Sequence, residues 1–205
     1  MIIKPANVGF ISSNNNGGNM KKTYETDRLI LKILSPDEAD QALKYYTENK
    51  DFLAPFEPVR DSIFYTLTEQ ETLLREDMIN AQKGQSVRFW IYLKDDTTIN
   101  RPIGSLAFSN IVRGVFLNAF VGYKLDGQYL NKGYMTEALK KGVTIMFTEF
   151  GLHRLEANIM PRNIASLSVA KKAGFYEEGL AKKYLRINGV WEDHIHMVMR
   201  NIEME

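Results

Sequence analysis

Gly122 to Thr136 (GYKLDGQYLNKGYMT) reads as the end of a strand, a loop containing two glycines, and the opening of a helix. Free backbone N–H groups in such a turn, backed by the positive end of a helix dipole, make a site for a diphosphate. Lys132 adds a positive charge to it. Taken alone, the segment fits a plain strand-to-helix connection as well, because a lone glycine loop has little specificity. Further along, Asn163-Ile-Ala-Ser166 sets an amide at a helix N-cap and a hydroxyl in the first turn. His194 and His196 alternate on one strand face, a spacing that suits a metal. With no cysteine and no third histidine nearby, a structural role is expected, and no metal site.

These residues need a scaffold, and the chain supplies a regular series of elements. Arg28 to Leu34 (RLILKIL) predicts a strand. Ser35-Pro36-Asp37-Glu38 then gives an N-cap, a proline at the first helical position and a capping-box acid, opening a helix to about Asn49. Phe52 to Pro58 (FLAPFEP) is a proline-punctuated loop, and Thr68-Glu69-Gln70-Glu71 a second capping box, opening a helix that stops near Gly84. Val87 to Lys94, Ile103 to Val112 and Leu117 to Leu125 predict an antiparallel meander.

From Thr136 to Phe150 the apolar positions Leu139, Val143, Met146, Phe147 and Phe150 recur at helical spacing. Arg154 to Met160 predicts a strand and Asn163 to Ala173 a short helix. Two final strands flank Asn188-Gly189, a pair suited to a type I′ turn because both residues tolerate positive φ. The order is β-α-α-β-β-β-α-β-α-β-β. It implies an α+β domain with helices covering a mixed, mostly antiparallel central sheet.

Composition narrows the function. The 205 residues suit one domain, and 44% hydrophobic with 25% charged residues is ordinary for a globular protein. Apolar runs fall short of a membrane span, so no membrane contact is expected and a cytoplasmic location is. Lysine plus arginine (26) balances aspartate plus glutamate (25), so no general attraction to nucleic acid is expected. Absence of cysteine excludes a cysteinyl acyl-enzyme. No signal peptide is read at the start. Ser12 to Asn19 (SSNNNGGN) is polar and of low complexity, so residues 1–22 are expected to be a flexible tail and 23–205 the domain.

Taken together, the loop at Lys132-Gly133, the Asn163-Ile-Ala-Ser166 segment and Gly174-Phe175 resemble the GNAT superfamily of acetyltransferases. Within it the chain is most similar to the ribosomal-protein-alanine N-acetyltransferases of the RimJ and RimL type, RimJ above all. The segments that carry this are Thr26-Asp27-Arg28-Leu29, FL…PFEPVRD (Phe52 to Asp61), Phe108 to Gly114 (FSNIVRG), Leu152-His153-Arg154 and GVWEDH (Gly189 to His194). The loop departs from the family pattern at Leu130, Asn131 and Met135. Ala170 stands where many relatives have a tyrosine that protonates the leaving thiolate. Backbone N–H donors survive such changes, so cofactor binding is expected to persist, and the acid must be found elsewhere.

The resemblance implies direct transfer of acetyl from acetyl-CoA to a primary amine, with no metal. The acceptor it implies is the α-amino group of a protein or peptide N-terminus, a ribosomal protein among the candidates. A small amine, or a non-catalytic acyl-CoA-binding module, are the alternatives, and monomer and homodimer both stay open. It assigns acetyl-CoA to Gly122, Tyr123, Leu125, Leu130, Asn131, Lys132, Gly133, Tyr134, Met135 and Thr136, with Asn163 and Ser166 along the pantetheine arm. Ser166 is the expected proton donor to sulfur. Glu57, in the loop over the acceptor cleft, and Glu156, on the strand leading to Asn163, are the candidate bases. Tyr184, Trp191 and Phe56 are candidates for the pocket wall.

Overall fold

The computed structural model describes residues 21–95 and 101–205; the Ser12 to Asn19 stretch lies outside them. Strand β1 (Thr23–Glu25) and β2 (Leu29–Lys32) open the domain, followed by helices α1 (Ala39–Glu48), α2 (Lys50–Leu53) and α3 (Leu67–Gln82). Strands β3 (Val87–Leu93), β4 (Gly104–Val112) and β5 (Asn118–Leu125) form the expected meander. Then come α4 (Tyr134–Thr148), β6 (Arg154–Ile159), α5 (Ile164–Ala173), β7 (Tyr176–Ile187) and β8 (Val190–Arg200). Eight strands make one mixed sheet in the order β1-β2-β3-β4-β5-β6-β8-β7, and only β5 and β6 run parallel.

The structure departs from the sequence expectation where β1 is an additional strand, where α2 enters the stretch from Phe52 expected as a loop, and where α3 starts earlier. The three-residue β1, paired with β2 from Thr23↔Lys32 to Glu25↔Ile30, is too short to show a period. Helix α3 is capped by Thr66, whose hydroxyl oxygen accepts the Glu69 N–H at 3.4 Å. Both Thr66 and Thr68 have a glutamate three residues on, so the capping pattern could not choose between them. The Asn188-Gly189 turn is as expected, with φ of +49° and +86°.

The sheet is covered on both faces. Leu106, Phe108, Val121, Leu155 and Ala157 meet α4 and α5 on one side. Trp90 packs with Tyr45, Tyr46 and Leu74 of α1 and α3 on the other. Alternation along β3 sends Phe89 and Ile91 to the first core and Trp90 to the second, so the strand reads as a continuous apolar run.

At the centre, β5 and β6 pair only at Asn118↔Arg154, Ala119↔Leu155 and Phe120↔Glu156. Beyond Phe120 the two strands separate. From Val121 to Leu125 every second backbone N–H and C=O of β5 therefore faces a gap instead of a neighbouring strand.

A buried ion pair fixes the far end of β5. Asp126 accepts from Arg101 Nη2 at 2.7 Å, from the Gln128 N–H at 2.8 Å and from Asn49 Nδ2 at 3.3 Å. Burial alone would raise the Asp126 pKa, but these donors and the guanidinium charge outweigh it and hold the carboxyl below its ordinary value. Because the folded-state pKa is depressed, the contribution is present above the unfolded value near 3.9 and is lost as pH falls through the folded value. Arg101→Met is expected to cost about 2 kcal/mol at pH 7, less than a fully unpaired buried charge, because Asn49 and Gln128 still serve Asp126. The difference from wild type, read by urea unfolding, should shrink below about pH 4.

Candidate active site

The loop from Leu130 to Gly133 ends in an unusual backbone. Asn131 and Gly133 have φ of +60° and +80°, and Gly133 is the N-cap residue of α4. The Glu137 N–H bonds to Gly133 O at 3.0 Å, and the N–H groups of the first turn project from the helix end. Lys132 lies over the Tyr129 ring, 5.1 Å from its centre.

Arg28 holds this loop from β2's side. Its Nη1 donates to Lys132 O at 2.9 Å, and its Nε and Nη2 grip Glu137 Oε2 at 2.7 and 2.6 Å. Glu137 Oε1 also accepts from the Thr26 hydroxyl at 2.6 Å and the Arg28 N–H at 3.0 Å. In a trans peptide the carbonyl and the following N–H point oppositely, so turning Lys132 O toward Arg28 turns the Gly133 N–H away from it. Burial would raise the Glu137 pKa, but its donors prevail and lower it, so the carboxylate stays ionised and neutralised by Arg28. Thr26 and Arg28, quoted above only as resemblance, are thus the supports of the Leu130 to Gly133 loop.

The gap between β5 and β6 lies next to this loop. A methyl placed on Gly122 would meet nothing within 4 Å. Tyr123 points to the other face, where its hydroxyl donates to Ser166 O at 2.8 Å and accepts from Ser166 Oγ at 3.1 Å. Burial pushes the Tyr123 phenol up to about 12, so it is protonated at neutral pH. Asn163 caps α5 as expected, with Oδ1 accepting the Ser166 N–H at 3.1 Å. That bond uses only the carbonyl half of the amide. Ala170 is fully buried, so Tyr123 is the phenol that reaches Ser166.

Gly122 and Lys124 lie on the face opposite Tyr123, and there Glu57 forms an ion pair with Lys124. The Glu57 carbonyl accepts from Asn188 Nδ2 at 3.1 Å, and Asn188 Oδ1 accepts the Val59 N–H at 2.7 Å. Arg162, in the β6–α5 turn, donates to Pro55 O at 3.1 Å and to Glu192 at 2.9 Å, with its guanidinium over the Phe56 ring. The 55–59 loop thus forms an arch from β5 to the β7–β8 hairpin, across the gap.

Glu156 sits where β5 and β6 part. Its Oε2 accepts from Arg154 Nη2 at 2.9 Å and its Oε1 faces His196 Nδ1 at 2.7 Å. Burial raises its pKa, but Arg154 and His196 prevail and lower it. Tyr184 stacks edge-on to both His194 and His196, 5.8 and 5.0 Å between centroids, whereas Trp191 is 58% exposed on the hairpin.

A helix start with projecting N–H groups, beside a gap between parallel strands, has the chemistry to hold a long acyl carrier, with diphosphate at the helix end and an amide-bearing arm against the free edge of β5. Residues 28–176 match the model of the acetyltransferase (GNAT) domain. The chain belongs to the GNAT family. This acetyltransferase is 38% identical over 177 residues to the probable N-acetyltransferase YjcK of Bacillus subtilis, covering 86% of the chain and 96% of the relative. It is 39% identical over 178 residues to the [ribosomal protein uS5]-alanine N-acetyltransferase of Escherichia coli, with 85% and 89% covered. Among solved structures it is similar to the ribosomal-protein-S5-alanine acetyltransferase of Vibrio fischeri. There the TM-score is 0.84 and the identity 33%, with 90% of this chain and 100% of that one covered.

The protein is therefore an acetyl-CoA-dependent N-acetyltransferase on the GNAT fold. Among the described residues, no set of three or more histidines or carboxylates could hold a metal, and no helix is long and apolar enough to cross a membrane. Thr26 and Arg28 stood out in the sequence only through the resemblance, Asn188 only as a turn residue, and Glu137 and Arg162 not at all. Each acts by bonding to a segment distant in sequence, so spacing carried no signal for them. The one local hint was the acid Glu137 in the first turn of a helix expected to bind an anion, where a free carboxylate would repel the ligand.

Proposed function

We propose that the acceptor is the α-amino group of a protein N-terminus, a ribosomal protein among the candidates, met in the cytoplasm. The observation that carries this is the arch. The 55–59 loop is tied to β5 through Glu57 and Lys124, and to the hairpin through Asn188. A cleft bridged in this way favours a chain end entering end-on over a side chain in the middle of a folded surface. Similarity to the E. coli enzyme for the uS5 alanine supports the same class.

In this reading acetyl-CoA lies along the gap, held by the Asn131 to Thr136 segment. A backbone N–H of Gly122 or Tyr123 receives the developing oxyanion, and Ser166 donates to the departing sulfur. The amine enters beneath the arch as an ammonium, and the Glu57 carboxylate holds it there. Glu57→Gln is accordingly expected to raise KM for an alanine- or serine-starting peptide about tenfold with kcat much less affected, a loss of binding rather than of chemistry. Thiol release should be followed with such peptides and with polyamines and amino acids. Faster turnover of the small amines would overturn the acceptor class, and acetyl-CoA binding without any thiol release would overturn catalysis itself.

A further inference from the structure

Glu57 and Glu156 both carry cationic partners, so neither is free to accept a proton from an ammonium. Glu57 is committed to Lys124, and Glu156 to Arg154. His196 is different. Its Nδ1 is 2.7 Å from Glu156 Oε1, whereas its Nε2 has no hydrogen-bond partner among the described residues, and its side chain is 24% exposed.

The register places this ring on the acceptor side. Phe120↔Glu156 is the last pair before β5 and β6 part, and His196 pairs with Asn158, two residues further along β6. Side chains two apart share a face, so Glu156, Asn158 and His196 line the face that Gly122 and Lys124 share on β5. The gap beside Gly122 lies between the two groups.

We propose that His196 is the general base of the acetyl transfer, with Glu156 as the residue that orients it. This rests on the acetyl-transfer reading of the cleft given above. The Glu156 carboxylate accepts the Nδ1–H and so fixes the tautomer whose Nε2 carries the lone pair. The groups facing the ring are Glu156 and Arg154 from β6, Tyr184 from β7 and its own strand neighbour His194.

Nε2 takes one proton from the acceptor ammonium, directly or through one water. The freed nitrogen lone pair forms the N–C bond at the thioester carbonyl as the C–S bond breaks. The nitrogen loses a second proton to solvent while the sulfur gains one by way of Ser166. The net products are the amide, the CoA thiol and one proton, which leaves on His196. Imidazole is intrinsically a stronger base than a carboxylate, and so the better acceptor for a proton from an ammonium.

The test is the pH profile of kcat/KM for wild type, His196→Gln and Glu156→Gln, measured with whichever amine the wild type acetylates. His196→Gln should lose about 10²-fold at pH 7 and much less at pH 9, where the amine is already free. In Glu156→Gln, loss of the neighbouring negative charge should move the acid limb to lower pH, together with a smaller loss of rate. A role of His196 only in sheet packing would lower rate equally at all pH values, or not at all. Calorimetric binding of acetyl-CoA, expected to be unchanged in both variants, checks that they are folded.

Retention of activity within about threefold at pH 7, with the acid limb unmoved, would overturn the assignment. If His196→Gln fails to bind acetyl-CoA, His196→Asn serves instead, and a pH-independent loss there overturns the assignment too. A wild type that acetylates only small amines would overturn the N-terminal acceptor and leave this comparison intact. A wild type inert toward every amine would overturn both.

Discussion

Ser166→Ala is expected to lower kcat by about 10²-fold or more, with acetyl-CoA affinity close to wild type. The hydroxyl touches Tyr123 and no residue of the anion loop, so its loss spares the phosphate contacts. Negative charge develops on sulfur as the C–S bond breaks, and a donor placed there acts mainly in the transition state. Tyr123, protonated at neutral pH, holds the hydroxyl in place. The variant should fold normally, because Asn163 caps α5 through the Ser166 backbone N–H, which alanine retains. Single-turnover kinetics beside calorimetry would separate the two effects. Full turnover in the variant would leave Ser166 as a first-turn residue of α5 and turn attention to Tyr123.

The second large effect is expected on binding. Gly133→Val should weaken acetyl-CoA at least 100-fold. A β-branched residue at φ +80° is a steric outlier, of order 1–3 kcal/mol of strain. A Cβ there would also lie 3.3 Å from Arg28 Nη2, the guanidinium that fixes the Lys132 carbonyl and hence the Gly133 N–H. To relieve either, the loop must turn its N–H groups away from the diphosphate. Stability should fall far less than affinity, since the loop lies on the surface and Gly133 has no side-chain contact to lose. Calorimetry with CoA and acetyl-CoA reads this directly, and equal affinities for wild type and variant would remove the diphosphate from this loop.

The sequence by itself determined the order of elements apart from the short β1 and α2, because hydrophobic period, caps and turn residues are local properties. The meander from Val87 to Leu125, the long helix after Gly133, the N-cap at Asn163 and the type I′ turn at Asn188-Gly189 all depend on neighbours within a few residues. Resemblance at separated segments added the family and the acetyl donor. Where two local signals competed, as at Thr66 and Thr68, the sequence had no means to choose. The departures at Asn131 and Met135 became intelligible only in three dimensions. Asn131 adopts the positive φ that asparagine tolerates, and Met135 turns into the core.

Only the tertiary structure decided what each charged residue faces. Glu57 and Glu156 look alike in the sequence, both carboxylates near the expected cleft. In the folded chain one meets Lys124 under an arch, and the other meets Arg154 and His196 at the point where β5 and β6 part. Arg28 is more than a hundred residues from Lys132 and Glu137, yet it holds both. Such pairings depend on strand order, register and the crossover through α4, which bring distant segments together. Local propensity is blind to them, because a charge's role is set by the partners that the fold brings within hydrogen-bond reach.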